Sequence, residues 1–125
     1  AETRDQLNVV EDQIGGPTPA DAIDATLLTL ADALRAGGKG GIYHYAGTPE
    51  TSWAGFARET FVQAGFPREG RTVTVTGIPS QAYPTPARRP LNSRLDCARL
   101  QTEFGIMPPD WRAGLARVIG ELQHG

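Results

Sequence analysis

Residues 83–96 read Tyr-Pro-Thr-Pro-Ala-Arg-Arg-Pro-Leu-Asn-Ser-Arg-Leu-Asp. Three prolines and three arginines fall within these fourteen residues. Each proline removes a backbone donor and pushes its predecessor towards an extended conformation, so the stretch is no helix. It is expected to be a stiff loop that carries cationic side chains, and it divides the chain. Strand and helix patterns alternate before it; after a short strand-like run at 93–95, only helical patterns follow. The loop itself has two readings. Arg88, Arg89 and Arg94 can clamp a diphosphate through bidentate guanidinium contacts, or they can pair with carboxylates such as Asp96 on a surface connector. Local physics weighs these evenly.

Upstream, residues 7–10 are apolar or strand-compatible and lead into Gln13-Ile14-Gly15-Gly16-Pro17, a glycine-proline punctuation. Thr18 offers an N-cap hydroxyl, Pro19 suits the first helical position, and Asp21 favours the positive end of a helix. Ile23, Leu27, Leu30, Ala31 and Leu34 then recur at helical spacing until Gly37-Gly38. The run Ile-Tyr-His-Tyr-Ala at 42–46 has the composition of a strand. Ser52 caps a second expected helix, with Trp53, Phe56, Ala57, Phe61 and Ala64 on its inner face. Residues 72–76 alternate threonine and valine, a half-buried strand. Downstream, Asp96 caps a helix over 97–104, and Asp110 caps a last one with Trp111, Leu115, Val118, Ile119 and Leu122 on one side. The expected class is α/β, a small sheet of short strands with about four helices, in a single domain spanning 1–125.

Composition excludes several functions. Hydrophobic residues make up 39% and charged residues 21%, as in an ordinary globular chain. A net charge of −2 provides no field for nucleic acid. No apolar run reaches the length of a membrane span and no basic-then-apolar leader opens the chain, so neither nucleic acid nor membrane is an expected partner. The single cysteine, Cys97, forms no internal disulfide and suits a reducing, cytoplasmic setting. The chain opens on Ala1 and enters a strand at once, as a piece of a longer protein would.

The chemistry-bearing residues are few. Cys97 has no histidine near it in sequence and reads as a small, partly buried side chain. His44, between two tyrosines, reads as a packed, hydrogen-bonded histidine; His124 lies beside the C-terminus. No residues have metal-ligand spacing. The glycine run at 37–41 precedes a strand, whereas dinucleotide and phosphate loops follow one and open a helix. Two loops remain: residues 83–96, and residues 12–19, where Gln13 and backbone amides stand at a helix start. The second is at least as readily a capped turn.

Four segments carry a resemblance. Residues 8–18, Asn-Val-Val-Glu-Asp-Gln-Ile-Gly-Gly-Pro-Thr, resemble the Val-Val-x-Asp-Gln-x-Gly-x-Pro-Thr segment of dTDP-4-dehydrorhamnose reductases. Residues 52–57, Ser-Trp-Ala-Gly-Phe-Ala, resemble their Ser-Trp-x-x-Phe-Ala helix start, and residues 83–96 their Tyr-Pro-Thr-Pro-Ala-Lys/Arg-Arg-Pro-x-Asn-Ser-x-Leu-Asp. Phe104-Gly105-Ile106 with Asp110-Trp111-Arg112 is similar to their closing segment. The order is the same, and the first and third segments are the specific ones.

The resemblance implies an extended short-chain dehydrogenase/reductase that reduces dTDP-6-deoxy-L-lyxo-4-hexulose (dTDP-4-dehydro-L-rhamnose) to dTDP-L-rhamnose with NADPH or NADH. Such enzymes hold the cofactor on an N-terminal Rossmann half with a glycine-rich loop and a Tyr-x-x-x-Lys pair. Neither motif occurs here, and the one lysine is Lys39. The likeness is therefore to the C-terminal, substrate-binding lobe, which by itself is expected to be inactive and to hold no cofactor, with its own Rossmann half as partner. It implies Arg89 first and Arg88 second at the diphosphate, Asn92 as a polar neighbour, and Gln13 and Thr18 at the sugar end of the cleft. Homodimerisation through carboxylate-bound magnesium occurs among such enzymes, but no motif places its ligands here. A stand-alone nucleotide-sugar binding or regulatory module, and a lobe of another sugar-nucleotide reductase or epimerase, are the other readings.

Overall fold

A computed structural model describes residues 5–124. The described elements are, in order, β1 (Gln6–Val10), β2 (Ile14–Gly15), α1 (Ala20–Arg35), β3 (Thr51–Ser52), α2 (Trp53–Gln63), β4 (Thr74–Ile78), a 3-10 turn (Ser80–Ala82), α3 (Ala98–Phe104) and α4 (Trp111–His124). This is an α/β architecture with four helices and short strands. β1 and β4 pair in parallel, from Gln6 opposite Thr74 to Val10 opposite Ile78. The intervening chain carries α1 and α2, and α2 packs on both strands.

Three of the four helices begin at or within a residue of where the sequence indicates. Ser52 Oγ accepts the Gly55 amide at 3.0 Å, Asp96 Oδ1 the Ala98 amide at 3.0 Å, and Asp110 Oδ1 the Arg112 amide at 2.9 Å, so each side chain occupies an otherwise orphaned donor. Gly105 closes α3 in the left-handed region, φ 68°, which glycine adopts without a Cβ penalty. The core gathers Val10, Ala46, Ala54, Leu100, Trp111 and Ile119. Trp111 is buried against Phe56, ring centres 5.5 Å apart, and its indole donates to the Pro49 carbonyl at 2.6 Å. That bond satisfies the one polar atom such a ring brings inside.

Several elements differ from the expected ones. Ile14–Gly15 is a strand, antiparallel to Thr51–Ser52. The punctuation residues are thus themselves paired. Residues 42–46 form no strand and join no ladder among the described residues, because a strand-like composition still needs a neighbour to pair with. Tyr43 stacks edge-on with Phe104, ring centres 5.2 Å apart, its hydroxyl bonds Glu103, and Arg99 donates to the Ile42 carbonyl at 3.0 Å. His44 is exposed, not packed. Residues 93–95 form no strand; a single parallel bridge joins Ile14 to Asn92 instead. Thr18 does not cap α1, whose N-cap position is Pro19 without a side-chain bond. Its hydroxyl donates to the Gly16 carbonyl at 2.9 Å and accepts the Gly47 amide at 3.1 Å.

Two faces expected inside lie outside. Leu27 and Leu34 of the α1 stripe are exposed, as are Val118 and Leu122 of α4. Trp53, placed by spacing on the inner face of α2, is 59% exposed. Ala54 beside it, at 0%, makes the close contact instead.

Candidate functional site: a cleft beneath the proline-arginine loop

Residues 83–96 contain no helix or strand and are pinned at one end to β2. The Ile14 amide donates to the Leu91 carbonyl at 2.8 Å and the Ser93 amide to the Ile14 carbonyl at 2.7 Å. Thr85 donates its hydroxyl to the Ala87 carbonyl at 2.7 Å. The loop is therefore laid along the short sheet as a third strand-like neighbour, with its prolines limiting how it can bend.

Two open cavities lie under it. The larger, about 920 Å³, is walled by Arg88, Arg89, Gln13, Trp53, Ser80 and the β1 edge at Asn8–Val10. The second, about 740 Å³, is walled by Thr51, Ser52, Phe56, Ser93, Pro17 and the β2 backbone. Gln13, Trp53, Arg89 and Pro90 belong to both, so the two form one elongated cleft with these four side chains at the junction. Its dimensions suit an extended ligand of more than one ring.

The three loop arginines have separate surroundings. Arg94 is bound to Glu50 at 2.7 Å and also donates to Asn92 Oδ1 at 3.4 Å, while Asn92 Oδ1 accepts the Arg94 amide at 3.1 Å. Arg88 and Arg89 are exposed and have no hydrogen bond or carboxylate partner among the described residues. The pairing that the sequence offered through Asp96 does not form; Asp96 caps α3. Two cations thus face a cavity without internal counter-charge, an arrangement that favours an anion.

Gln13 is held in place. Its amide donates to Ser80 Oγ at 3.0 Å, and Ser80 donates its hydroxyl to Asp12 Oδ1 at 2.6 Å and its amide to both Asp12 oxygens at 3.0 Å. These bonds, the side-chain one above all, hold the Asp12 carboxyl below its ordinary 3.8. The network ties the β1–β2 link to the 3-10 turn and so fixes Gln13 at the junction, its side-chain carbonyl oxygen without a partner among the described residues.

Of the five residues singled out in the sequence, Arg88, Arg89 and Gln13 line the larger cavity. Asn92 and Thr18 line neither. Asn92 orders the loop through Arg94. Thr18 borders a separate groove of about 420 Å³ between α1 and α4. Sequence reasoning missed Trp53 as a cleft residue, because helical spacing treats an aromatic on an apolar stripe as core. Its position beside the capping Ser52, at the first residue of the helix, was the available signal.

The glycine run at 37–41 ends α1: the Gly37 amide donates to Leu34 and the Gly38 amide to Ala33. It opens no helix and offers no dinucleotide cradle. Among the described residues no three His, Cys, Asp or Glu side chains gather to hold a metal, and no helix is long and apolar enough to cross a membrane.

This fold and cleft define a small α/β lobe with an open cleft bordered by cations. Over residues 1–124 the chain matches the family described as the RmlD substrate binding domain, and it belongs to that family. It is 42% identical over 125 residues to dTDP-4-dehydrorhamnose reductase of Sinorhizobium fredii, covering 98% of this chain and 42% of that protein. It is 37% identical over 126 residues to the enzyme of the same name from Escherichia coli K12, again 98% and 42%. The crystal structure of a dTDP-4-dehydrorhamnose reductase from Clostridium acetobutylicum superposes with a TM-score of 0.85 at 31% identity, covering 98% of this chain and 40% of that one. The Bacillus anthracis enzyme in complex with NADP gives 0.82 at 28%, covering 96% and 40%. The chain thus spans about two-fifths of the length of these relatives.

Proposed function

We propose that this chain is the substrate-binding domain, over residues 1–125, of an NAD(P)H-dependent reductase that converts dTDP-4-dehydro-L-rhamnose to dTDP-L-rhamnose. The cleft takes the sugar nucleotide. Arg89 and Arg88 hold the diphosphate and Gln13 meets the ligand at the junction. Asn92 and Thr18 act one step back: Asn92 orders the loop, and Thr18 clamps the Gly16 and Gly47 backbones. The observation that carries this reading is the separation of the loop arginines, with Arg94 neutralised by Glu50 while Arg88 and Arg89 border the cavity unpaired. The nicotinamide cofactor, NADPH or NADH, and the proton-transfer residues belong to an N-terminal Rossmann half, the other wall of the cleft. The 125 residues alone bind without turning over. The intact enzyme is cytoplasmic and forms a homodimer; no group of residues here assigns a magnesium site to its interface.

The test is Arg89→Ala in the intact reductase. Loss of a charged contact of about 1–3 kcal/mol raises KM for the keto-sugar nucleotide roughly 5- to 150-fold, while KM for the nicotinamide cofactor stays unchanged. An unaltered sugar-nucleotide KM would contradict the diphosphate role.

A further inference from the structure

The two cavities differ in chemistry. The larger one carries the unpaired cations. The second has none beyond the shared Arg89 and is bordered by the hydroxyls of Thr51, Ser52 and Ser93, with Phe56 and the shared Trp53 as aromatic walls. The larger cavity also has hydroxyls, but those of Ser80 and Thr85 are already donated, to Asp12 and to the Ala87 carbonyl. Hydroxyl groups around an aromatic surface match a pyranose, whose rim of hydroxyls seeks hydrogen bonds while its C–H face, slightly positive, favours the negative face of a π system. The Ser93 hydroxyl makes no bond among the described residues. Ser52 uses its oxygen only as the acceptor for the Gly55 amide at 3.0 Å, which leaves its O–H free to donate.

Trp53 is an exposed aromatic whose position the fold itself does not explain. It is 59% exposed, whereas Trp111 is 3% exposed, and its indole N–H has no acceptor among the described residues. No aromatic ring packs on it either. Its backbone is nevertheless rigid, because Ser52 is both the cap of α2 and the end of the β2–β3 pair. A large apolar ring held at the junction of the two cavities on fixed backbone is preorganised for a ligand.

Resting on the sugar-nucleotide reading above, we propose that the second cavity receives the hexose and that Trp53 is its stacking surface and specificity residue. The diphosphate then lies at the Arg88–Arg89 end and the nucleoside extends along the larger cavity. This assigns the sugar-recognising group to α2, outside both loops that the sequence singled out.

Calorimetry with dTDP and with dTDP-L-rhamnose tests it. Trp53→Ala is expected to weaken dTDP-L-rhamnose about tenfold and dTDP less than twofold, with Trp53→Phe retaining most of the affinity. Arg89→Ala is expected to weaken both ligands alike. Equal weakening of both by Trp53→Ala would place the indole against the nucleobase and overturn the proposal, as would no weakening of either. A wild-type protein that binds neither ligand overturns both this and the sugar-nucleotide reading. One that binds both while Trp53→Ala changes nothing overturns this proposal alone. The exposed position predicts an unchanged melting temperature for Trp53→Ala, which separates lost binding from lost folding.

Discussion

Arg94 and Arg89 stand five positions apart on one loop and do different work. Glu50 approaches Arg94 to 2.7 Å, and as both side chains are largely exposed this pair orders the loop more than it stabilises the fold. Arg89 borders the cleft and has no carboxylate partner among the described residues. Asp12 shows the same economy in a carboxylate. Three bonds from Ser80 hold its proton affinity down. A carboxyl depressed in the folded state contributes stability that is present above its unfolded value of 3.8 and is lost as pH falls through the folded one. Ser80→Ala is therefore expected to lower the melting temperature at neutral pH. The gap between variant and wild type should shrink in acid, below the ordinary aspartate range. Thermal unfolding followed from pH 7 to pH 2 checks this; a gap independent of pH would contradict it.

At the scale of elements, backbone-to-backbone approach explains what side-chain patterns could not. A Cβ on Gly47 would stand 1.9 Å from the Pro17 carbonyl oxygen, and one on Gly16 would stand 2.2 Å from the Gly47 oxygen. The chain entering α1 and the chain leaving residues 42–46 cross there, with the Thr18 hydroxyl bridging them. Gly47→Ala must displace backbone, at a cost of about 1–3 kcal/mol. Denaturant titration should show the midpoint falling by that cost divided by an unchanged slope, and a midpoint equal to wild type would mean that the crossing is looser. The strand patterns were legible only in part. β1 and β4 carried enough β-branched residues to be seen, with β4 displaced by two positions. β2 and β3 are two residues each and contain glycine and serine, so no periodicity can disclose them. Their pairing is decided by which loops meet.

At the scale of the molecule, the apolar stripe of α1 is left uncovered. Ile23, Leu27 and Leu34 are 39%, 60% and 49% exposed, on a helix whose spacing was read as core-facing. A contiguous stripe of this kind marks a surface that meets another partner. Where the 125 residues stand alone, it is expected to drive self-association. Leu27→Ser with Leu34→Ser should lower concentration-dependent light scattering while leaving the helical circular dichroism in place. Scattering of a clean monomer at high concentration in the unsubstituted chain would refute this.

The sequence by itself determined the α/β class, the helix starts at Ser52, Asp96 and Asp110, and the proline-arginine loop. Capping, glycine stops and proline restrictions act within a few residues, and so they are visible locally. It also singled out Arg88, Arg89 and Gln13, since cations on a stiff loop and an amide beside a glycine turn are local features. Only the tertiary structure decided which arginine is neutralised, that Thr18 and Asn92 brace backbone instead of lining the cleft, and that Trp53 faces solvent at its centre. Each of those depends on what lies opposite in space, forty or more residues away in the chain for Glu50 and Arg94. Periodicity records which residues share a face; it does not record whether that face meets a core, a ligand or open water.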